Sequence, residues 1–403
     1  MSFVWEESVP ADAVLPASAG LGSRGVSGNG RAVPSWPEAG AMLDAVRRIA
    51  DGPLAAQAEA IDREGVYPEA ILRELGAAGA FRAQLGGADG QPDYASAINA
   101  IAEVSRVCAS TGFMMWCQLA CSMYLARSAN TALDDGLLAR LATGDQLGGT
   151  GLSNPMKYLA GIEPLALRAS QDGEDVIVEG TLPWVSNLGQ DHVFCAMAGV
   201  QTPEGMVEMM FVASCADEGI EMRPCPSFSG MEGTGTWGLR FDRYRVKPSQ
   251  VVACPARPFI AGIRSAFVLL QCGMGWGVTQ GAIDSMWAVE SQLGHVNAFL
   301  EDRPADLQQE LDALKARTLA LARTPYECSD AFFLDVLDVR AHAAELALRA
   351  AQSALMHQGA RGYLMRSAVQ RRVRESHFVA IVSPALKHIR KEIARLSASR
   401  MPS

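Results

Sequence analysis

Nine cysteines are present, yet no two stand at the two-residue spacing of a zinc knuckle or a redox dithiol. The closest pair, Cys117 and Cys121, lies one helical turn apart in an apolar segment. That is the pattern of buried thiols in a reducing compartment, not of disulfides or a metal centre, so no metal site is expected. No uninterrupted apolar run reaches the ~18 residues that a membrane span needs. The opening MSFVWEESVP has no basic stretch leading into an apolar one, the mark of a signal peptide. Positive charge is also short: 44 acidic residues face 35 basic ones, a formal net charge of -9. This disfavours nucleic acid and anionic membrane surfaces as partners. The expectation is a cytoplasmic, soluble protein that acts on a small molecule.

Hydrophobic residues make up 49% of the 403 positions, enough for more than one core. Residues 1–37 are rich in Gly, Ser, Ala and Pro with no period that buries a face, and read as a disordered or loosely docked tail. From residue 38 the period is helical. AMLDAVRRIA puts Met42, Leu43, Val46 and Ile49 on one stripe, and YPEAILRELGAAGAF opens a helix at Pro68. YASAINAIAEVSRVCA follows, then GFMMWCQLACSMYLARSA, which is apolar almost all round and so predicts a central buried helix. A helical domain is thus expected over 38–147.

Over 148–257 the period becomes two. VFCAMAGV and MVEMMFVAS flank the turn Thr202-Pro203-Glu204-Gly205, and FDRYRVKPSQVVA reads as one further strand with a proline terminator. The spacing predicts a small β-sandwich or barrel. GTGTWG (Gly233 to Gly238) matches the dinucleotide fingerprint in form only. A strand follows it where the fingerprint needs a helix, so it reads as a tight strand connection. From 258 to 403 four long helical stretches predict an antiparallel bundle, with a further helical turn after Pro384. The first contains Gly273, Gly275 and Gly277, each costing about 1 kcal/mol relative to alanine, an expense that a close backbone approach offsets. The fold class is α+β multidomain: N-terminal helices, a central β domain, a C-terminal four-helix bundle.

The stretch from Gly148 to Asn187 holds the candidate site. GGTGLSNPMKY and DVIVEGTLPWVSN read as two strand ends facing one place, offering backbone N–H groups, the hydroxyls of Ser153 and Ser186, and the indole of Trp184. Such a set suits a flat ring with polar edges. It equally suits a surface loop followed by a core tryptophan.

The element order and several motifs resemble the acyl-CoA dehydrogenase superfamily over about residues 38 to 398. Ser153-Asn154-Pro155 and Trp184-Val185-Ser186-Asn187 are similar to its Thr-Glu-Pro and Trp-Ile-Thr-Asn segments around the flavin. GMGWGVTQGAID resembles its first bundle helix, HQGARGY its adenine-side loop with Gly359, and VQRRVRE its Arg-x-x-Arg-Asp. The resemblance implies a flavoprotein oxidoreductase. Leu152 and Ser153 would meet the pyrimidine edge, Ser186 would donate to the redox-active nitrogen, and Trp184 would cover the ring. The implied cofactor is FAD, with FMN or reduced flavin as alternatives. The implied assembly is a homo-oligomer, a dimer or tetramer, with a flavin reductase or electron-transfer partner.

The departures from the pattern matter as much. The family's base position falls on Ser383, entered here as the catalytic candidate, and the alternative position falls near Phe267. Neither residue is a base at neutral pH, and removal of a proton next to a thioester needs one. The phosphate-contacting arginine is absent from SQLGH, and Met356 stands at the adenine-side glutamine. His377 and His388 near Ser383 read as surface or capping residues, and His192 as a strand start. The resemblance and its departures together imply an atypical dehydrogenase or oxidase of a small acyl or related substrate; the alternatives are a two-component reduced-flavin, oxygen-using monooxygenase and a non-catalytic flavin-binding or scaffold protein.

Overall fold

The computed structural model describes residues 38–398 apart from 87–90, 134 and 204. The tail expected over 1–37 lies outside the described residues, as does Glu204 of the hairpin turn. Six helices come first: α1 (Ala39–Ile49), α2 (Ala55–Arg63), α3 (Glu69–Ala77), α4 (Tyr94–Val107), α5 (Ala109–Arg127) and α6 (Asp135–Thr143). Met42, Val46 and Ile49 form the buried stripe of α1. A π-helical turn, Ala50–Leu54, carries Pro53 between α1 and α2, where the sequence shows no helix signal. All residues from Ala109 to Leu125 of α5 are buried, as expected of a helix without a polar face.

Next come β1 (Gly148–Thr150), α7 (Ser153–Leu159), β2 (Leu167–Asp172), β3 (Asp175–Val185), β4 (Val193–Thr202), β5 (Gly205–Ser214), β6 (Ile220–Pro224), β7 (Trp237–Val246) and β8 (Val251–Ala253). They form one sheet in the order β6-β7-β3-β2-β4-β5-β8, with β1 parallel to β4. The sheet curls: Phe211 of β5 meets Phe241 and Tyr244 of β7, ring centroids 6.1 and 6.0 Å apart, although three strands separate them. The alternation is strict on β4. Phe194, Ala196 and Ala198 face the sheet's own core, while Val193, Cys195 and Met197 face the helices.

FDRYRVKPSQVVA is two strands, not one. Pro248, which has no N–H for a ladder, opens the 3-10 turn Pro248–Gln250, and β8 beyond it pairs with β5 while β7 pairs with β3 and β6. Ser153 is not on a strand end either: it opens α7, one turn after β1.

The C-terminal helices are α8 (Ala256–Asn297), α9 (Pro304–Leu321), α10 (Asp330–Gln358), α11 (Ala368–Ile381) and α12 (Leu386–Ala398). The last is 13 residues long where a single turn was expected. By length and apolar composition α8 could cross a membrane, and 83% of its apolar window is buried within the fold. Its glycines sit against other helices. A Cβ at Gly273 or Gly277 would come within 2.5 and 2.4 Å of the Ile98 and Ala102 carbonyls on α4, and one at Gly275 within 2.8 Å of Ala343 O on α10. One hydrophobic core runs through both sets of helices, and a second fills the curled sheet.

Candidate active site

The two halves of the 148–187 stretch meet through a single β-bridge, Thr150 with Ser186. Gly149 permits it, since a Cβ there would stand 2.4 Å from Ser186 O. Asn187, fully buried with φ 64, locks the junction. Its Nδ2 donates to Gly148 O (2.8 Å), its N–H to Thr234 O (2.9 Å), and its Oδ1 accepts from the Tyr67 hydroxyl (2.8 Å). Asparagine tolerates this left-handed conformation better than most side chains. The GTGTWG loop is thereby laid beside Ser186, entering a strand as expected.

These elements wall a cavity of about 410 Å³, within the range of about 300–1,000 Å³ common for small-molecule sites. On the sheet side stand Thr150, Leu152, Ser153, Trp184, Ser186, Thr234 and Thr236. On the helix side α5 supplies Phe113 and Trp116, α8 supplies Phe267, and α11 supplies Phe378 and Ile381. Phe113 and Trp116 stack at 5.7 Å, while Phe378 and Phe267 meet them edge-on at 4.6 and 4.9 Å. Five of the six candidates, Leu152, Ser153, Trp184, Ser186 and Ser383, line this one cavity; Gly359 does not. Gly359 ends α10 with φ 58, close in sequence to exposed Met356, Tyr363, Leu364 and Met365.

Ser153 and Ser383 face each other, hydroxyl to hydroxyl, at 2.9 Å. Behind Ser383, its carbonyl accepts from Gln271 (2.8 Å), and the Oε1 of Gln271 accepts from Arg340 (3.0 Å). Arg340 is fully buried and its other arm donates to Val379 O at 2.6 Å, near the C-terminal end of α11, where backbone carbonyls are unpaired. Burial lowers its pKa to about 10.

Arg374 grips Asp62 with two 2.6 Å bonds at the cavity rim. The next residue, Glu375, is buried and accepts from the N–H of Ala109 at the start of α5 (3.0 Å). Burial pushes its carboxyl up, against the pull of Arg371.

Of the histidines, His377 is exposed and lines the cavity. His388 is buried, not at the surface: only 7% is exposed and burial lowers its pKa, with Lys391 and Lys157 adding to the shift. His192 is buried just before β4, Nδ1 3.0 Å from Asn187 O. Sequence reasoning missed Thr150, Thr234, Thr236, Phe113, Trp116 and Phe378, and reached Phe267 only as the alternative base position. The threonine alternation in GTGTWG was the one available signal.

A curled sheet thus stands between two helical groups, with a hydroxyl-lined cavity where they meet. Residues 37–145 match the family model for the acyl-CoA dehydrogenase N-terminal domain. A Mycobacterium leprae protein named "Probable acyl-CoA dehydrogenase fadE25" is 25% identical over 356 residues, covering 83% of this chain and 89% of that protein. Among solved structures, butyryl-CoA dehydrogenase from Megasphaera elsdenii superposes with a TM-score of 0.78 at 17% identity, over 93% of this chain and 100% of that one. Dibenzothiophene monooxygenase (TdsC) from Paenibacillus sp. A11-2 gives 0.72 at 14%, over 90% and 98%. The structural likenesses show the fold, and with the sequence matches the resemblance to the acyl-CoA dehydrogenase superfamily stands.

Proposed function

We propose that this chain is a flavin-dependent oxidoreductase that uses reduced flavin and oxygen on an apolar, ring-bearing substrate. The observation that carries the reading is the composition of the cavity wall: hydroxyls on one side, aromatic rings on the other, and no Asp or Glu among the described residues lining it. The polar set fits a flavin ring. Thr150, Ser153, Ser186 and Thr236 supply hydroxyls along a polar edge, and Trp184, with 53% of its surface exposed, is an indole free to lie against a ring.

When bound, a flavin supplies electron transfer and, once reduced, the activation of oxygen. In this reading the backbone of Leu152 and the hydroxyl of Ser153 hold the pyrimidine edge, and Ser186 meets the central ring. Ser383 holds the Ser153 hydroxyl in place; a neutral hydroxyl is too weak a base to take a proton at neutral pH. Phe113, Trp116, Phe267 and Phe378 exclude water and receive the substrate. In this reading the flavin is FAD or FMN, a separate reductase delivers the electrons, and the working form is a homo-oligomer. The units 38–147, 148–257 and 258–403 act together around the cavity.

A dehydrogenase or oxidase is the second reading, and His377 is the observation that favours it, as a histidine in the cavity wall able to act as a base. Rapid reoxidation separates the oxygenase from a dehydrogenase, and the thioester test separates it from a thioester oxidase as well. Protein loaded with FMN or FAD, photoreduced without air and then mixed with oxygenated buffer, should reoxidise rapidly, and acyl-CoA thioesters should not bleach the bound flavin. Bleaching by a thioester that His377→Asn abolishes would refute the oxygenase and establish the dehydrogenase.

A further inference from the structure

The hydroxyls of Ser186, Thr236 and Thr234 form a chain that ends on a carbonyl. The O···O distances are 2.6 Å from Ser186 to Thr236, 2.7 Å from Thr236 to Thr234, and 2.7 Å from Thr234 to Met231 O. Each hydroxyl has one proton, and a carbonyl only accepts, so the Thr234 proton is committed to Met231 O. Thr234 is 2% exposed, which leaves no solvent to reverse that choice. Thr236 must then donate to Thr234, and Ser186 must donate to Thr236. The opposite order would set two lone pairs against each other at 2.7 Å between Thr236 and Thr234. Ser186 therefore turns a lone pair, not a proton, to the cavity it lines. This reverses the expectation that Ser186 is a donor there.

We propose that this fixed polarity selects a ligand bearing a ring N–H, and so, on the reading that the cavity holds a flavin, selects reduced over oxidised flavin. The central ring of reduced flavin carries an N–H where the oxidised ring carries a bare, accepting nitrogen. Ser186 accepts from the first and opposes the second. A protein built in this way takes up its flavin already reduced and releases it when oxidised.

The test is an anaerobic titration of the full chain with oxidised FMN and with photoreduced FMN, followed by tryptophan fluorescence. Wild type should bind the reduced form about tenfold more tightly, the worth of one matched against one mismatched hydrogen bond; that equals a rise of about 30 mV in the two-electron potential of the bound flavin. Thr234→Val removes the anchor, frees the Thr236 proton to point at Ser186, and lets Ser186 donate, so the preference should fall toward one or invert. Ser186→Ala, which changes the least volume, should weaken reduced FMN without weakening the oxidised form, and it carries the test if the valine variant does not fold. Equal affinities in wild type, or a ratio that both variants leave unchanged, would overturn the proposal and leave the flavin reading standing. Binding of neither form would overturn the flavin reading and the proposal with it.

Discussion

Replacing Gly149 by alanine should separate the two halves of the cavity. The added methyl would stand 2.4 Å from Ser186 O and 2.8 Å from Leu188 Cδ2, where ordinary contact begins at 3.4 Å. The Thr150–Ser186 bridge must therefore open by about 1 Å directly beside Asn187, which three hydrogen bonds hold in place. Overpacking of this kind costs ~1–3 kcal/mol, and exchanging glycine for alanine returns ~0.5–1 kcal/mol; because the clash is with backbone, a cost toward the upper end and a net loss of about 2 kcal/mol are expected. Gly238 of β7 is the control: a methyl there meets nothing nearer than 3.5 Å, so Gly238→Ala should be neutral or stabilising by ~0.5 kcal/mol. Urea denaturation of both variants gives the stabilities, and FMN titration gives the effect on the site. The reasoning requires G149A to lose affinity as well as stability, because the methyl displaces Ser186 itself. A G149A protein with wild-type stability and wild-type flavin affinity refutes it.

Two further outcomes follow from buried charges. Because the folded-state pKa of Glu375 is raised above its ordinary 4.5 by burial, the stability tied to its protonated form is complete below that value and lost as pH rises through the raised one. Urea midpoints of wild type between about pH 4 and pH 8 should fall across that interval. Glu375→Gln, still able to accept from Ala109 N–H, should remove that part of the slope; an unchanged slope would assign it to other groups. Asp62→Ala strips the partner from Arg374, whose side chain is only 21% exposed, and should cost about 3 kcal/mol. The loss should be smaller when Arg374→Ala is added, and strict additivity would mean that the pair does not interact.

Where burial follows from period, the fold was legible. The all-apolar α5 and the all-apolar run VFCAMAGV both have to be buried on every side. Chain ends and breaks were less so. Pro248 interrupts FDRYRVKPSQVVA, but only the partner strands decide that Val251 joins β5 and not β3. LKHIRKEIARL looks polar enough for a surface turn, yet Ile389 and Leu396 with His388 give α12 a narrow buried stripe. At the site, Ser153, Trp184 and Ser186 were visible as a polar-aromatic group next to glycines. Phe113, Trp116 and Phe378 were not, because an aromatic residue on a buried helix carries no local mark of whether it faces a core or a cavity. The proton order of the threonine chain was beyond sequence altogether, since it depends on which residue reaches the Met231 carbonyl.

The glycines of α8 bear on how the chain is made. The face of α4 that receives Gly273 and Gly277 leaves the ribosome about 150 residues before α8 does. At 5–20 residues per second that interval is roughly 7–30 s. Throughout it the sheet can close around its own core, while the N-terminal helices still show an apolar groove with no occupant. The nascent chain therefore shows this groove from the exit of α4 until the first half of α8 follows, and chaperone binding should span that window.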